Sequence, residues 1–488
     1  MILDFYSADY RRTLFPMSTN RYLIENGQDE IAEFLKRCLD PDQEAFSFRS
    51  QTRVYAGKPG FHLRRTVKLD PVAEYFIYDL VLRNRTRFRA PFHEHKKHFG
   101  YRFEEGKPLN PSGSFRGYKG AIAAYRDQYQ YSLSFDVAAY FNSIYHHDLV
   151  SWLSRIGALE QDYQAFGQFL REINTGRSVD CLPQGIYPAK MIGNDFLRFV
   201  EQFHGLRSSA IVRFMDDFVL FSDSQRDLSH DFITIQGLLG EKGLSLNPNK
   251  TSRGVRENVE LEVAIEDVRA KLLQRRRVVV TDYDGIPDEE IEVERDLSDE
   301  EMGFLRGLLQ QDDIEEEDAE LVLSLMAEHA EEAIDRLGDI ARRFPHLFKN
   351  IYSFCLDAED EERIAAFVLE LLRDNDAMIY EFQLFWLTHI LEDRLLNTAS
   401  ASEIIDRLYN HPNAKSISKA KLLEIPDLRY GLVELRDTHL GAGQSDWLSW
   451  SSAVGHRGLN KIDRRHRLGY FAKASNYNKL VFDIVSKD

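Results

Sequence analysis

Cysteine is scarce in this chain: Cys38, Cys181 and Cys355 are the only three among 488 residues. Thiols so few and so far apart exclude a disulfide framework and a thiolate zinc cluster, and they fit a reduced, cytoplasmic setting. Long apolar runs are missing too. None approaches the roughly 20 residues that span a bilayer, so no membrane partner is expected. The N-terminal MILDFYSADYRR has no basic segment followed by an apolar stretch, so no signal peptide is read. A basic excess is also absent. Lys and Arg number 62 against 79 Asp and Glu, for a net charge of −17. Taken over the whole chain, that balance argues against a nucleic-acid partner. What is present is ordinary globular composition, 43% hydrophobic, in a chain long enough for about two to four domains.

The location of the charge changes its meaning. Residues 281–320 hold 18 acidic and 2 basic groups, whereas residues 1–260 hold 34 basic and 32 acidic ones. The acidic stretch is expected to be a solvated connector that repels anions, or else an acidic flap guarding a basic channel. Residues 51–100 lean the other way, with 11 basic and 4 acidic groups interleaved with Phe, Tyr and His. Such interleaving suits a phosphate backbone with base stacking.

The first half mixes element types. Apolar spacing predicts a helix over Ala73–Arg83 after Pro71, a strand over Tyr131–Phe135, and helices over Ile192–His204 and Phe232–Lys242. The run AIVRFMDDFVLF, Ala210–Phe221, reads as a hairpin with two carboxylates at its tip. Beyond about residue 300, strand signals nearly vanish and helical runs follow one another, from Asp299–Leu309 to Ser416–Leu423, which suggests paired helices of the HEAT type. We therefore expect an α+β unit over 1–260, an acidic connector over 261–300 and an α-helical repeat domain over 301–488.

A strand-end carboxylate, Asp136, beside a hairpin carrying Asp216 and Asp217 is the kind of oxygen-ligand set that two Mg²⁺ ions need, about 3.5–4 Å apart. Adjacent acids alone say little. Here they sit in an ordered set of blocks: DVAAYFNSI from Asp136, Leu182-Pro183-Gln184-Gly185, VRFMDDFVLF around Asp216 and Asp217, and GLSLNPNKT over 243–251. Over about 115 residues these four blocks resemble the palm of a reverse transcriptase. That resemblance implies a right-hand polymerase palm and fingers ahead of the helical domain. It also implies a metal set of Asp136, Val137, Asp216 and Asp217, with two Mg²⁺ ions or Mn²⁺ in their place. Phe141 falls where the family keeps an aromatic gate against the ribose 2′-hydroxyl, with Tyr140 as the alternative. Gln184 and Gly185 fall where template base and incoming nucleotide are contacted. Lys250 matches the lysine near the triphosphate, a proton donor to pyrophosphate. Upstream, Arg64, Arg65 and Lys68 resemble the fingers segment that grips the triphosphate. After LPQG the chain departs from the family's small residues and serine, reading Ile186-Tyr187-Pro188-Ala189-Lys190.

A palm followed by a helical-repeat domain resembles the prokaryotic abortive-infection and defence-associated reverse transcriptases. This implies a bacterial cytoplasmic polymerase that uses dNTPs and makes single-stranded DNA, either protein-primed and untemplated or templated by a partner non-coding RNA. It further implies a homo-oligomer, trimeric or hexameric. Two other readings stay open: a retron- or intron-like enzyme copying a cognate RNA, and an inactive palm serving as an RNA-binding scaffold or phage sensor. Asp136, Asp216, Asp217, Gln184 and Lys250 occurring together argue against decay.

Overall fold

The structure, a computed structural model, describes residues 1–88, 95–104, 106–180, 182–255, 297–311, 314–326, 329–374 and 377–487. Cys181 and most of the acidic connector, 261–296, lie outside the described residues.

Three helices open the chain: α1 (Ile2–Tyr10), α2 (Ser18–Asn26) and α3 (Gln28–Cys38). Strands β1 (Thr52–Gly57) and β2 (Leu63–Lys68) form an antiparallel hairpin, and α4 (Pro71–Asn84) follows. Asp70 caps α4 by accepting from the Ala73 amide at 2.9 Å, with Pro71 at the first helical position where a missing N–H costs nothing. After β3 (Lys96–Phe99), the two-residue strands β4 (Phe103–Glu104) and β5 (Lys107–Pro108), and α5 (Pro111–Gln128) comes β6 (Tyr131–Asp136). Then run α6 (Tyr140–Ser143), α7 (His146–Arg155), α8 (Glu160–Ile173), α9 (Tyr187–Phe196) and α10 (Arg198–Gln202). The strands β7 (Ala210–Phe214) and β8 (Asp217–Ser222), the helix α11 (Gln225–Gly240) and the strand β9 (Ser252–Val255) complete this half. The palm sheet has the order β3-β7-β8-β6-β9. β7 and β8 are buried along nearly their whole length, so they read as continuous apolar runs rather than an alternation.

The expected helix over Ile192–His204 is instead two, α9 and α10, and the first begins five residues earlier. Pro188 sits in the first turn of α9, where its fixed φ suits a helix start. The segment Leu244–Leu246, rich in leucine, makes a single bridge, Val137 with Leu246, rather than a strand.

From residue 299 onward the described elements are helices. One row comprises Glu316–Leu325, Phe348–Asp357, Glu381–Ile390, Ser416–Leu423, Trp447–Gly455 and Asn476–Val485, each packed on the next. A second row includes Leu337–Arg343, Glu361–Arg373 and Ala401–Asn410, again packed in sequence. Two rows of helices stacking repeat on repeat are the expected helical-repeat architecture, with each unit burying its face against its neighbours. Among the described residues no helix is long and apolar enough to cross a membrane.

The first row also holds the N-terminal helices. Glu424 receives the backbone amides of Ser18 (2.8 Å) and Thr19 (2.6 Å), so a carboxylate from the helical array sits at the N-terminus of α2, where the helix dipole favours it. Lys421, fully buried, neutralises Glu424 at 2.8 Å and also pairs with Glu392. Lys349 donates to the carbonyls of Arg12 (2.9 Å) and Thr13 (3.1 Å). Arg49 donates to the Ser445 carbonyl and lies over the rings of Trp450 and Tyr477. The array therefore packs against the fingers side of the molecule, and the two halves share one hydrophobic core.

Candidate active site

The site is built at one end of the palm sheet. Asp136, the last residue of β6, pairs in register with Asp217, the first of β8. Phe214 pairs with Asp217 across the β7–β8 hairpin, which leaves Met215 and Asp216 as a two-residue turn. Met215 takes φ +54°, the positive value such tight hairpin turns demand. Three carboxylates thus converge because strand pairing fixes two of them and the turn projects the third.

A non-glycine residue at positive φ needs support, and Arg213 supplies it. Its guanidinium is fully buried. It donates to the Met215 carbonyl at 2.7 Å, to the Asn194 carbonyl at 2.9 Å and to Asn194 Oδ1 at 3.0 Å, and it is neutralised by Glu201. No sequence pattern marked Arg213, which reads as one polar residue inside an apolar strand.

Electrostatics within the cluster are unfavourable without a cation. Burial first, then the adjacent Asp217 carboxylate, push Asp216 up to about 7. Burial pushes Asp217 up to about 6, with Lys250 opposing and Asp136 adding. Lys250 Nζ lies 2.9 Å from Asp136 Oδ2, and although partial burial opposes it, that contact holds the ammonium above its ordinary range. The other oxygen, Asp136 Oδ1, is buried with no hydrogen-bond partner among the described residues. An unsatisfied buried carboxylate oxygen beside two acids that resist ionisation is a donor set suited to divalent cations. Val137 fits the same set. The bonds flanking its bridge are made by Asn247 N to Asp136 O (2.9 Å) and Ala138 N to Ser245 O (2.7 Å). In an antiparallel pair this leaves the carbonyl of Val137 facing away from Leu246, toward the hairpin side.

The structure separates the three fingers residues. Lys68 does not reach the cleft; it is buried, and its Nζ lies 3.0 Å from Glu74 Oε2. Arg65 is drawn to Asp180 at 3.2 Å, as is Arg53 at 3.4 Å, while Asn142 donates to the other Asp180 oxygen at 2.9 Å. Arg64, the preceding residue of β2, is on the opposite face of the strand. There it acts on Lys58, whose ammonium is held below its ordinary value by burial, then by Arg64 and Lys250, against the pull of Asp216 and Asp136. Lys58, Arg64 and Lys250 therefore form a cationic rim facing the acids. Lys58 carried no signal beyond a lysine in a basic stretch.

Tyr140 and Phe141 are both buried, with their rings in a T-shaped, edge-to-face contact (centroids 5.3 Å apart). Both press on Gly193 of α9: a Cβ there would lie 3.0 Å from the Phe141 ring and 3.3 Å from that of Tyr140. The Tyr140 hydroxyl donates to the Gly193 carbonyl at 2.7 Å. In the LPQG turn, the Gln184 carbonyl accepts from Thr66 of β2 at 2.8 Å, which ties palm to fingers. Gly185 has φ +105°, and a Cβ would strike Leu14 at 2.7 Å. Asp9 of α1 accepts from the Tyr187 amide at 2.7 Å, so the N-terminal helices brace this turn from behind.

Comparison with known proteins agrees with this geometry. Residues 89–276 match the family described as reverse transcriptase (RNA-dependent DNA polymerase). None of the curated proteins matches the chain. Among solved structures, the chain is similar to apo telomerase from Candida tropicalis, at 11% identity over 79% of this chain and 73% of that one, with a TM-score of 0.32. It is similar to telomerase from Candida albicans in complex with a fragment of telomeric RNA, at 12% identity, 78% and 68% coverage and a TM-score of 0.33. A chain of an RdRp complex, of which this chain covers 50%, matches at 11% identity over 100% of this chain, with a TM-score of 0.33. By the family match over residues 89–276, the chain carries a polymerase domain of reverse-transcriptase type, an RNA-directed DNA polymerase.

Proposed function

We propose that this protein is a DNA polymerase of reverse-transcriptase type that adds dNTPs by two-metal catalysis and serves in anti-phage defence by abortive infection. The observation that carries the catalytic part is the convergence of Asp136, Asp216 and Asp217, with Asp136 Oδ1 buried and unsatisfied. Asp136, Asp216, Asp217 and the Val137 carbonyl would hold two Mg²⁺ ions, with Mn²⁺ as an alternative. Bound there, such ions supply the charge that eases ionisation of a 3′-hydroxyl and neutralises leaving pyrophosphate. Lys58, Arg64 and Lys250 bind the triphosphate oxygens, and Lys250, 61% exposed and able to swing from Asp136, donates a proton to the pyrophosphate. Gln184 and Gly185 shape the floor for the template base. Phe141, with Tyr140 as the alternative, restricts the sugar to its deoxy form.

The defence assignment is supported by the order of parts, a palm followed by a helical-repeat domain, which resembles the abortive-infection group. Single-stranded DNA product, a partner non-coding RNA, trimeric or hexameric assembly and a bacterial cytoplasmic location belong to the same reading. One set of experiments tests it. Purified protein given labelled dNTPs and Mg²⁺ should incorporate label, and the Asp216→Asn/Asp217→Asn variant should not. Cells carrying that variant should lose phage protection. Incorporation by the variant at the wild-type level would falsify the catalytic assignment. DNA that stays attached to protein through denaturation indicates protein priming, whereas a defined copy of one RNA places the enzyme with retron-like polymerases instead.

A further inference from the structure

Outside the palm, one cluster of ligating side chains lies where the helical array meets the fingers. Glu316 and Glu320 are one turn apart on the helix Glu316–Leu325, so they share a face, and His346 approaches them from the loop that follows Leu337–Arg343. Ligand atoms of all three lie within 4.8 Å of one another. The side chain of His346 is only 8% exposed, and neither of its ring nitrogens has a hydrogen-bond partner among the described residues. Its Nε2 nevertheless lies 3.3 Å from Glu316 Oε1. A nitrogen and a carboxylate oxygen at that separation, without the angle of a hydrogen bond, match two corners of a tetrahedron around a cation bonded at about 2.0 Å.

We infer that Glu316, Glu320 and His346 form a binding site for one divalent transition-metal ion of the zinc type, separate from the polymerase carboxylates. A nitrogen with two carboxylate oxygens suits such an ion better than Mg²⁺, which favours all-oxygen, hydrated sites. The site has a structural reason to exist. His346 is wedged against the tip of the β1–β2 hairpin: a Cβ on Gly57 would lie 2.7 Å from the His346 Cα. Lys58 of the cationic rim is the next residue. An ion that fixes His346 therefore fixes the tip of the fingers on the helical array.

The test uses the full chain, stripped with a chelator and titrated with Zn²⁺ against a chromophoric zinc competitor in excess Mg²⁺. Wild type and the Asp136→Asn/Asp216→Asn variant should each bind one equivalent and gain melting temperature. His346→Gln and Glu320→Gln should bind at least about tenfold more weakly and show no gain. Glu320 is only half-buried and Gln keeps its shape, so its variant decides the matter if His346→Gln fails to fold. Zinc binding that is unchanged in Glu320→Gln, or that is lost in Asp136→Asn/Asp216→Asn, or that is weak and non-stoichiometric in wild type, overturns the inference.

Discussion

Arg213 holds Met215 from below: its buried guanidinium donates to the Met215 carbonyl at 2.7 Å, inside the turn that projects Asp216. The positive φ of Met215 and the reach of the acidic tip both depend on that one side chain.

Arg213→Met should therefore be among the most damaging substitutions in the palm. It leaves Glu201 buried without its partner, at a cost of about 3–5 kcal/mol. Urea denaturation should show the loss. Arg213→Lys keeps the charge but not the fork that reaches both Asn194 and Met215, and should recover stability only in part. A wild-type midpoint for Arg213→Met would show that the turn stands unaided.

The raised carboxyls give the metal-free protein a definite response to pH. An acid whose folded value exceeds its unfolded one stabilises the fold fully below the unfolded value, and that contribution is lost as pH rises through the folded value. With Asp216 near 7 and Asp217 near 6, stability without divalent cations should fall as pH climbs from about 4 to above 7. Asp216→Asn/Asp217→Asn should flatten that part of the profile. Added Mg²⁺ should flatten it in wild type and release protons near pH 6–7, measurable in weakly buffered solution.

Arg64 and Arg65 are neighbours in the chain, but they should behave differently. Arg64→Ala removes a guanidinium from the cationic rim, and losing a charged hydrogen bond worth about 1.5–3 kcal/mol should raise the KM for dNTPs by roughly 10–100-fold. Arg65→Ala frees Asp180 from one of its two arginines and should change KM by much less. Steady-state kinetics of the two variants side by side gives the answer, and equal effects would sink the distinction.

Glu424→Ala strips the N-terminus of α2 of its carboxylate and leaves Lys421 with Glu392 alone. Loss of a buried charge partner predicts a cost of about 3–5 kcal/mol. Tryptic digestion should open the Arg11–Arg21 region before the palm. A fragment of residues 1–260 should be insoluble or poorly folded, because Phe15, Arg49 and α2 lose their packing on the helical array.

What could be read in advance follows from where the information sits. The β7–β8 hairpin was legible because apolar runs and the two acids occupy adjacent positions, and the structure places its strands within a residue of the expected bounds. The second half was legible because helical spacing repeats. Lys68 was misplaced because its local context is a basic strand, whereas its fate is set by Glu74, already on the following helix. Asp9, Asp180, Arg213 and Lys58 were invisible for a related reason. Each is defined by partners brought in by the fold, and no spacing rule reaches them. The pairing of Arg65 with Asp180, more than a hundred positions away, is of the same kind.

The clasp between Ser18 and Glu424 spans 406 positions of chain. During synthesis, the segment that steadies the LPQG turn emerges first, and the carboxylate that steadies that segment emerges only after the helical array is nearly complete. Until Glu424 is made, α2 has no carboxylate at its N-terminus. A chain cut short before Glu424 would carry α2 without the carboxylate that caps it.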